Sequence, residues 1–411
     1  MNKIVLVKDK KDCCGCEACM NICPQNAIEM KEDECGYKYP EINHEKCIKC
    51  GLCKKTCAYQ NDCELQENNQ TYVGITTNKD VLMKSASGGI FAQIASNIIK
   101  QNGIVYGCSM ELEDGKLTPK HIRINNIEEI KKIQGSKYVQ SDINYTYKSI
   151  KEDLKDGKKV LFSGTPCQVA ALKNFIGNKK NENLFTIDII CHGIPSKKIF
   201  QDYISFIERK ENIIAKDFVF RDKTKGWGLQ ARIDYVDKKK NKKSKLITSH
   251  LSSYYQLFLN SEIYRENCYS CKYAGRKRVG DITIGDFWGI EREHPEYLKD
   301  NGGEINEKDG ISCVLINNSK GKEILEKYCA DLIIKKSTFE KAARQNKQLN
   351  QPSAKSKNRE EILEKYIKEG YKGIDTWYFK KIGIKKYVYY IWEKIPRKYK
   401  VKLKNSNYKQ S

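Results

Sequence analysis

Residues 13–24 read CCGCEACMNICP, and residues 47–57 read CIKCGLCKKTC. Four cysteines of each segment have the spacing C-x2-C-x2-C-x3-C, and the first segment contains Cys14 in addition, so the N-terminal region is an internal repeat. Three closely spaced thiolates bind one face of a [4Fe–4S] cubane, and in two-cluster proteins the fourth cysteine of each run binds the other cluster. The repeat therefore predicts a ferredoxin-like unit with two clusters, in which each half is a short strand, a short helix and a return strand.

The crossed arrangement assigns every cysteine of the repeat to one of two clusters. The predicted ligands are Cys13, Cys16, Cys19 and Cys57 for cluster I, and Cys47, Cys50, Cys53 and Cys23 for cluster II. A pair of zinc sites is the alternative, but these are usually built from separate C-x2-C pairs. The spacing therefore favours iron–sulfur clusters over zinc.

The composition limits the class of protein and its setting. The chain has 411 residues, 18 cysteines and a formal net charge of +23. Its length suits two or three domains. The N-terminal residues have no signal-peptide pattern, and no apolar run is long enough to span a bilayer. We therefore expect a cytoplasmic, reducing setting, in which clustered cysteines serve metal or redox chemistry.

The positive charge is spread along the chain and accompanies no nucleic-acid-binding motif, so we predict no nucleic-acid partner. Its densest run, residues 238–245, lies between two strand-like segments and is typical of a solvated hairpin tip. The tail over residues 346–411 is rich in lysine and tyrosine. Contact of this tail with an anionic membrane surface is one interpretation, but a basic terminal helix that packs on the body or frays is favoured.

Three parts follow from these patterns: the ferredoxin unit at residues 1–66, a second domain at residues 71–345, and the basic tail. In the second domain, short apolar strands alternate with helices, at 103–107, 159–162 and 184–190 for strands and at 90–100, 166–175 and 196–209 for helices. This alternation predicts the α/β class (α+β for the whole chain), with a mixed, largely parallel sheet covered by helices. No G-x-G-x-x-G is present, so a standard dinucleotide fold is not supported.

Four cysteines of the second domain form a further candidate metal site. Cys167 follows a Thr-Pro pair that suits a helix N-terminus, where the helix dipole favours a thiolate. Cys191 ends the next predicted strand, and parallel strands bring both cysteines to one edge of the sheet. With Cys268 and Cys271 from a loop, they would bind a third [4Fe–4S] cluster. Zinc or unrelated buried cysteines are the alternatives.

The other cysteines receive no functional assignment. Cys108 and Cys313 lie in apolar, strand-like stretches and are predicted to be core residues. The remaining four have no partner spacing and are given no role: Cys14, Cys35, Cys63 and Cys329.

Residues 85–89 read SASGG and precede a helix with an apolar stripe. Glycines before a helix allow backbone N–H groups to approach a phosphate, and the helix N-terminus adds positive potential. Taken alone, the same residues are equally typical of an ordinary N-cap at Ser87. The segment is therefore a phosphate-binding candidate that needs further support.

In several such segments, the chain resembles the beta subunit of coenzyme F420 hydrogenases and dehydrogenases. The shared landmarks are SGG at 87–89, GSKY at 135–138, GTPCQ at 164–168, CHGIPS at 191–196, the Cys268-x2-Cys271 pair and GDFWG at 285–289. With the cysteine repeat they cover residues 1 to about 345 in the family's order. The resemblance implies a protein whose core domain holds FAD and one [4Fe–4S] cluster, often with an attached two-cluster ferredoxin domain.

The resemblance also implies site residues. The flavin would be lined by Ser87, Gly88, Gly89, Lys137, Thr165 and Gln168, with Asp286 and Trp288 near it. The core cluster would be bound by Cys167, Cys191, Cys268 and Cys271. The chain departs from the family in its basic aromatic tail and in Ala58, which follows Cys57 where a proline is expected. The second departure affects the surroundings of one cluster rather than its ligation.

We therefore expect an iron–sulfur flavoprotein oxidoreductase. Its partners would be a redox partner protein or reduced ferredoxin on one side, and a hydride carrier such as coenzyme F420 or a small organic substrate on the other. The resemblance extends to components associated with surface-polysaccharide synthesis. No acid or base is assigned, and His192 is favoured as a structural histidine. The alternatives are a ferredoxin-like adaptor without catalysis, a redox-sensing module and a zinc-binding scaffold.

Overall fold

The protein is described by a computed structural model that covers residues 4–67, 70–177 and 181–394, with side chains to residue 391. The ferredoxin unit contains two short helices and one β-hairpin, in the order α1 (Ala18–Ile22), β1 (Ile28–Glu32), β2 (Lys38–Ile42) and α2 (Leu52–Thr56). Strands β1 and β2 are antiparallel, with Ile28 opposite Ile42. Glu17 precedes α1 and Gly51 precedes α2, and both have a left-handed backbone conformation. At these residues the chain changes direction and enters the helix.

The ferredoxin unit differs from the prediction at its two outer strands. Within the described residues, the segment before Cys13 and the segment after Cys57 form no strand. The second segment packs on the rest of the protein instead. Its Tyr59 hydroxyl accepts a hydrogen bond from Asn267 (2.8 Å), and its Asn61 carbonyl accepts one from Lys272 (3.0 Å). These contacts replace pairing with a neighbouring strand.

The rest of the chain is built around one eight-stranded sheet and one three-stranded sheet. The strands are β3 (Gln70–Thr76), β4 (Ile104–Glu113), β5 (Lys116–Ile124), β6 (Val160–Gly164), β7 (Leu184–Ile189), β8 (Ile214–Val219), β9 (Gln230–Val236), β10 (Lys242–Thr248), β11 (Ile282–Asp286), β12 (Ser312–Ile316) and β13 (Leu332–Ser337). The large sheet has the order β13-β3-β12-β11-β7-β6-β4-β5. Its central strands β4, β6, β7 and β11 are parallel neighbours. The predicted mixed, largely parallel α/β sheet is confirmed.

Helices cover both faces of the large sheet. They are α3 (Lys79–Lys84), α4 (Ile90–Lys100), α5 (Ile130–Ile133), α6 (Thr146–Lys155), α7 (Pro166–Ile176), α8 (Lys197–Glu211), α9 (Ser253–Leu259), α10 (Ile290–Glu293), α11 (Ser319–Tyr328), α12 (Phe339–Ala343), α13 (Arg359–Ile382) and α14 (Lys385–Lys394). Helices α4 and α11 pack on one face, and α6 and α7 pack on the other. Cys14, Cys16 and Ala18 of the ferredoxin unit join the second of these cores, so the two units share apolar packing.

The three strands β8–β10 form a separate antiparallel sheet with α8, α9 and α13. The basic run lies at the β9–β10 hairpin, as its composition predicts. Helix α13 buries Tyr366, Tyr371 and Ile374 in this core, whereas α14 exposes apolar side chains such as Tyr387 and Ile391. The predicted tail continues beyond residue 394, outside the described residues. No helix in the described part of the chain is long and apolar enough to cross a membrane.

Candidate functional site

The first set of thiols lies in the ferredoxin unit, and Cys16 of this set packs in the apolar core beneath the large sheet. Every pair among Cys13, Cys16, Cys19 and Cys57 lies within electrostatic range. Cys57 thus joins the first cysteine run although it belongs to the second. Burial raises the pKa of the Cys13, Cys19 and Cys57 thiols. Such thiols ionise when metal binding compensates their charge, so this donor set fits a metal cluster.

The second set of thiols surrounds a small cavity nearer the surface. Its walls combine thiols with apolar side chains, namely Cys23, Cys47, Cys50, Cys53, Ile28, Ile42, Ile48 and Leu52. Cys23 is thereby brought to the second run, in the crossed arrangement that the spacing predicts. Cys50 is exposed, whereas Cys53 is buried. An apolar surround around four thiols suits an iron–sulfur cluster, whose potential depends on its exposure to solvent.

The third set of thiols lies at the carboxyl ends of β6 and β7. Cys167 occupies the first turn of α7, where Thr165 and Gln168 form a capping box. Cys191 follows β7, and the other two thiols come from the turn around Glu266–Ser270. Every pair among Cys167, Cys191, Cys268 and Cys271 lies within electrostatic range. All four line one cavity, which we call the core-cluster cavity.

A zinc ion and a [4Fe–4S] cubane require different spacings of their four thiolates. Among the described residues, no three histidine, cysteine or carboxylate side chains converge closely enough to hold one metal ion. A zinc ion holds its thiolates about 2.3 Å from one centre. The thiolates of a cubane bind separate iron atoms and so remain farther apart.

Cys14, which the sequence analysis left without a role, connects two of these sets. Its buried thiol lies within hydrogen-bonding reach of both Cys16 and Cys167. One neighbour belongs to the first set and the other to the core set. The only signal in the sequence is the Cys13-Cys14 pair, which carries no information about a partner more than 150 residues away.

Arg265 is a second connection that the sequence analysis missed. Its guanidinium is fully buried and lies 4.2 Å from the centre of the Tyr39 ring. Nε donates to the carbonyl of Cys13 at 2.8 Å, and Nη2 lies 3.5 Å from the Sγ of the same residue. Nη2 also donates to the carbonyl of Lys38 at 2.7 Å. A residue three positions before Cys268 therefore supplies a positive charge to the first thiol set.

A larger cavity of about 270 Å³ lies beside the core-cluster cavity. Seven of the eight residues assigned to the flavin line it, namely Ser87, Gly89, Lys137, Thr165, Gln168, Asp286 and Trp288. Thr165, Cys191 and His192 line both cavities. The two cavities therefore share a wall that contains one of the core thiols. Cys108 also lines the larger cavity, so the prediction that it is an ordinary core residue is wrong, whereas Cys313 is fully buried in β12.

The loop at Ser87–Gly89 is held firmly against the large sheet. The Ser87 hydroxyl donates to the carbonyl of Ile311 at 2.7 Å, and Gly88 N donates to Ser312 Oγ at 2.9 Å. Lys223 Nζ donates to the carbonyl of Ser87 at 2.6 Å. Gly88 does not line the cavity, but a Cβ there would collide with the carbonyl oxygen of Gly74. Gly88 is thus needed for the close approach of two backbones.

The polar groups of the larger cavity are mostly committed to neighbours. Gln168 accepts from Thr165 N at 3.0 Å and donates to Ser141 Oγ at 3.0 Å. His121 contacts Ser141 Oγ at 3.1 Å, and burial lowers its pKa to about 4, so its imidazole is neutral at pH 7. Burial also lowers the pKa of Lys137, whose ammonium donates to the carbonyl of Gln134 at 2.7 Å. Lys137 is therefore a half-buried cation that a bound anion would stabilise.

The lining of the larger cavity also includes aromatic rings and a residue of an ion pair. Asp286 accepts from Arg221 at 2.7 Å. The indole of Trp288 stacks on Trp227 with ring centres 4.5 Å apart. Tyr138 stacks on Phe258 at 4.4 Å. Stacked aromatic rings beside one ion pair suit a planar aromatic ligand that also carries polar groups.

Two family models match the chain, in the order of the units described above. The model for the C terminus of the coenzyme F420 hydrogenase/dehydrogenase beta subunit matches residues 157–342. The model for a "4Fe-4S dicluster domain" matches residues 12–61. The first match contains the four core thiols, and the second contains both cysteine runs.

Individual proteins are similar over shorter or more distant stretches. The ketoisovalerate oxidoreductase subunit VorC of Methanothermobacter marburgensis is 37% identical over 67 residues, which are 16% of this chain and 85% of VorC. An uncharacterized polyferredoxin-like protein of Methanocaldococcus jannaschii is 42% identical over 53 residues, and the match covers 11% of this chain and 32% of that protein. This chain therefore spans about a third of the length of the polyferredoxin-like relative.

Among solved structures, a chain of the xenon-derivatised F420-reducing [NiFe] hydrogenase complex from Methanosarcina barkeri aligns with a TM-score of 0.43 and 20% sequence identity. The alignment covers 73% of this chain and 93% of that one. The two family models and the thiol sets identify an iron–sulfur electron-transfer protein related to oxidoreductase subunits. Residues 157–342 match the family of the C terminus of the coenzyme F420 hydrogenase/dehydrogenase beta subunit, and residues 12–61 match a 4Fe-4S dicluster domain.

Proposed function

We propose that this protein is an iron–sulfur flavoprotein oxidoreductase that passes electrons between a one-electron redox partner and a hydride carrier or small organic substrate. Electrons would travel through cluster II, cluster I, the core cluster and FAD. The observation that carries the proposal is a series of contacts that joins the first thiol set, the core set and the larger cavity. Cys14 contacts one thiol of cluster I and one of the core set, and Cys191 lies in the wall between the core-cluster cavity and the larger cavity.

The buried interface supports electron transfer from the ferredoxin unit to the core. Electron tunnelling slows steeply with distance, so a path through neighbouring thiols is faster than one through solvent. Cys14 and Cys16 pack in the same apolar core as Phe162 and Val169. This packing excludes water and holds the thiols of cluster I near Cys167. The interface therefore supports an order of clusters in which cluster I is next to the core set.

The larger cavity supports the assignment of FAD. A flavin exchanges two electrons with a hydride carrier and single electrons with clusters, which is the conversion that this route requires. The N-terminus of α4 and the Ser87–Gly89 loop would bind its phosphates. Lys137 would neutralise a nearby negative charge, and Trp288 would lie against the ring system. Thr165 and Gln168 would position the flavin beside the wall that contains Cys191.

The finer identity of the substrate stays a prediction. Coenzyme F420 is the hydride carrier that the family match suggests, and the association with surface-polysaccharide synthesis rests on the resemblance. The flavin assignment can be tested without knowing either, because reduction of the clusters and the flavin is visible with an artificial donor. The adaptor without catalysis is the competing account, and it requires no flavin.

The function is tested by rapid anaerobic mixing of the oxidised protein with dithionite. We expect the clusters to be reduced and the flavin to follow in the same protein. The Gly88→Ala variant should retain its clusters but lose at least about tenfold in flavin content. The added Cβ would push the loop away from Gly74, and overpacking of this kind costs about 1–3 kcal/mol. Absorbance and EPR would follow the two cofactors separately.

Gly228→Ala is the matched control for this experiment. A Cβ at Gly228 would meet nothing within 4 Å, so flavin content and reduction should remain unchanged. A native protein that binds its clusters but no flavin would contradict the proposal and leave an adaptor. Equal loss of flavin in both glycine variants would show that the Ser87–Gly89 loop is not the binding element.

A further inference from the structure

The three cluster sites differ in their distance from the surface. Cys13 and Cys16 of cluster I are buried, and fully buried Arg265 lies against Cys13. At cluster II, Cys50 is exposed, and so are two apolar side chains that line its cavity. Ile48 is 60% exposed and Leu52 is 39% exposed. Cluster II is thus the site that an external protein can approach most closely.

The surface around cluster II combines an apolar centre with a positive rim. We define the cluster II face as Ile48 and Leu52 together with the exposed lysines Lys46, Lys49, Lys54 and Lys55. Over residues 43–56, these four lysines stand against a single acidic residue, Glu45. Lys54 and Lys55 occupy the last turn of α2, so their charges lie close to Cys53 and Cys57. A small apolar patch within a rim of one charge is typical of a transient protein-binding surface.

We infer that the cluster II face is the docking surface for a small acidic protein that carries one electron at a time. The inference rests on the proposed electron-transfer function and adds to it the site and the chemistry of the partner. In each encounter the reduced carrier would lose one electron to the cluster that Cys23, Cys47, Cys50 and Cys53 would hold. Two encounters would supply two electrons, which with one proton from solvent make up one hydride equivalent. Electrons travel in the opposite sense when the carrier is the oxidant.

The positive rim favours a transient acidic redox partner over a partner that binds through a large apolar interface. Opposite charges on two proteins raise the rate of encounter by about 10–10³-fold at low ionic strength, and salt removes most of this gain. Redox partners need fast, short encounters over a small area rather than a large apolar interface. The cluster II face offers two apolar side chains and four cations, and this balance fits such encounters. A carrier with an acidic rim around an exposed redox centre would bring the two centres closest.

The test is the rate at which a reduced acidic [2Fe–2S] ferredoxin reduces the complete, cluster-loaded protein. We expect the second-order rate constant to fall with rising ionic strength. The variant Lys54→Glu/Lys55→Glu should lower it at least about tenfold at low salt. The matched control Lys238→Glu/Lys239→Glu makes the same charge change at the exposed β9–β10 hairpin and should change it by less than about twofold. Reduction by dithionite should be the same in all three proteins.

Two results would overturn the inference. One is an equal loss of rate in both charge variants, since that would reflect the general positive field of the protein. The other is a second-order rate constant that is the same in the native protein and both charge variants and does not change with ionic strength. Should the cluster II variant lose iron, Lys54→Gln/Lys55→Gln, which removes the two charges without adding acids, replaces it in the comparison with the hairpin variant. Since the readout is cluster reduction, a failure of the flavin proposal would be seen separately, as clusters that reduce while no flavin does.

Discussion

Cys268→Ser should remove about four of about twelve irons and disconnect the flavin from the ferredoxin clusters. Cys268 lies within electrostatic range of the other three core thiols. The serine hydroxyl that replaces its thiol binds iron poorly. Loss of a residue that only orients a metal ligand typically costs about 10–100-fold in activity or affinity. Loss of the ligand itself should slow flavin reduction through the clusters by at least about 100-fold. Iron analysis and rapid mixing with a reduced ferredoxin, which delivers its electrons to the clusters, measure the two effects.

Cys329→Ser provides the control for this substitution. Cys329 caps α11, and its sulfur makes a long contact of 3.9 Å with the carbonyl of Glu326. Its replacement should leave iron content, flavin content and flavin reduction unchanged. If Cys268→Ser reduced its flavin at the native rate, the core cluster would not lie on the electron path. The route from the ferredoxin unit would then have to bypass the third thiol set.

Arg265→Lys should lower the reduction potential of cluster I by about 50 mV or more. Hydrogen bonds and positive charge at the ligand sulfurs stabilise the reduced, more negative cluster. Arg265 supplies both to Cys13, and lysine keeps the charge but cannot reproduce the bonds to Cys13 and Lys38 together. A hydrogen bond to a charged group contributes about 1.5–3 kcal/mol to stability. For a one-electron couple, a shift of about 59 mV in potential corresponds to a tenfold change in the equilibrium constant. An EPR-monitored redox titration measures the shift.

Arg221→Lys is the control variant for the effect of Arg265→Lys on the potential of cluster I. Arg221 is also buried and hydrogen-bonded, but its partners are Asp286 and Tyr138 beside the larger cavity. It should therefore affect flavin binding and leave cluster I unchanged. If Arg265→Lys altered stability but not the potential, Arg265 would serve only to pack the ferredoxin unit on the core. That outcome would remove its role in tuning the cluster.

The local patterns of the sequence were sufficient for the elements that carry the cofactor ligands. The two cysteine runs predict which thiols come together, because the spacing itself reflects the geometry of a cluster. The strand–helix alternation places Cys167 and Cys191 at one sheet edge, and the structure has them at the ends of β6 and β7. Helix α4 has the predicted bounds of residues 90–100 because its apolar stripe and the preceding glycines are local signals.

Contacts between segments that are far apart in the sequence could not be predicted from these local patterns. Cys14 and Arg265 acquire their roles only when the ferredoxin unit packs on the sheet, and neither has a spacing that reveals it. Lys223 holds the Ser87 loop from more than 130 residues away. The absence of the outer ferredoxin strands in the described residues has the same cause, since the segment after Cys57 binds Asn267 and Lys272 instead. Tertiary packing therefore outweighs local strand preference there.

Analysis of iron, acid-labile sulfide, zinc and flavin in the protein purified without oxygen tests the central claim most directly. Three four-iron clusters and one flavin predict about twelve irons, about twelve sulfides and one FAD per chain. About eight irons without flavin would contradict the account and leave a ferredoxin-like adaptor. Zinc in place of iron would exclude electron transfer through these cysteines altogether.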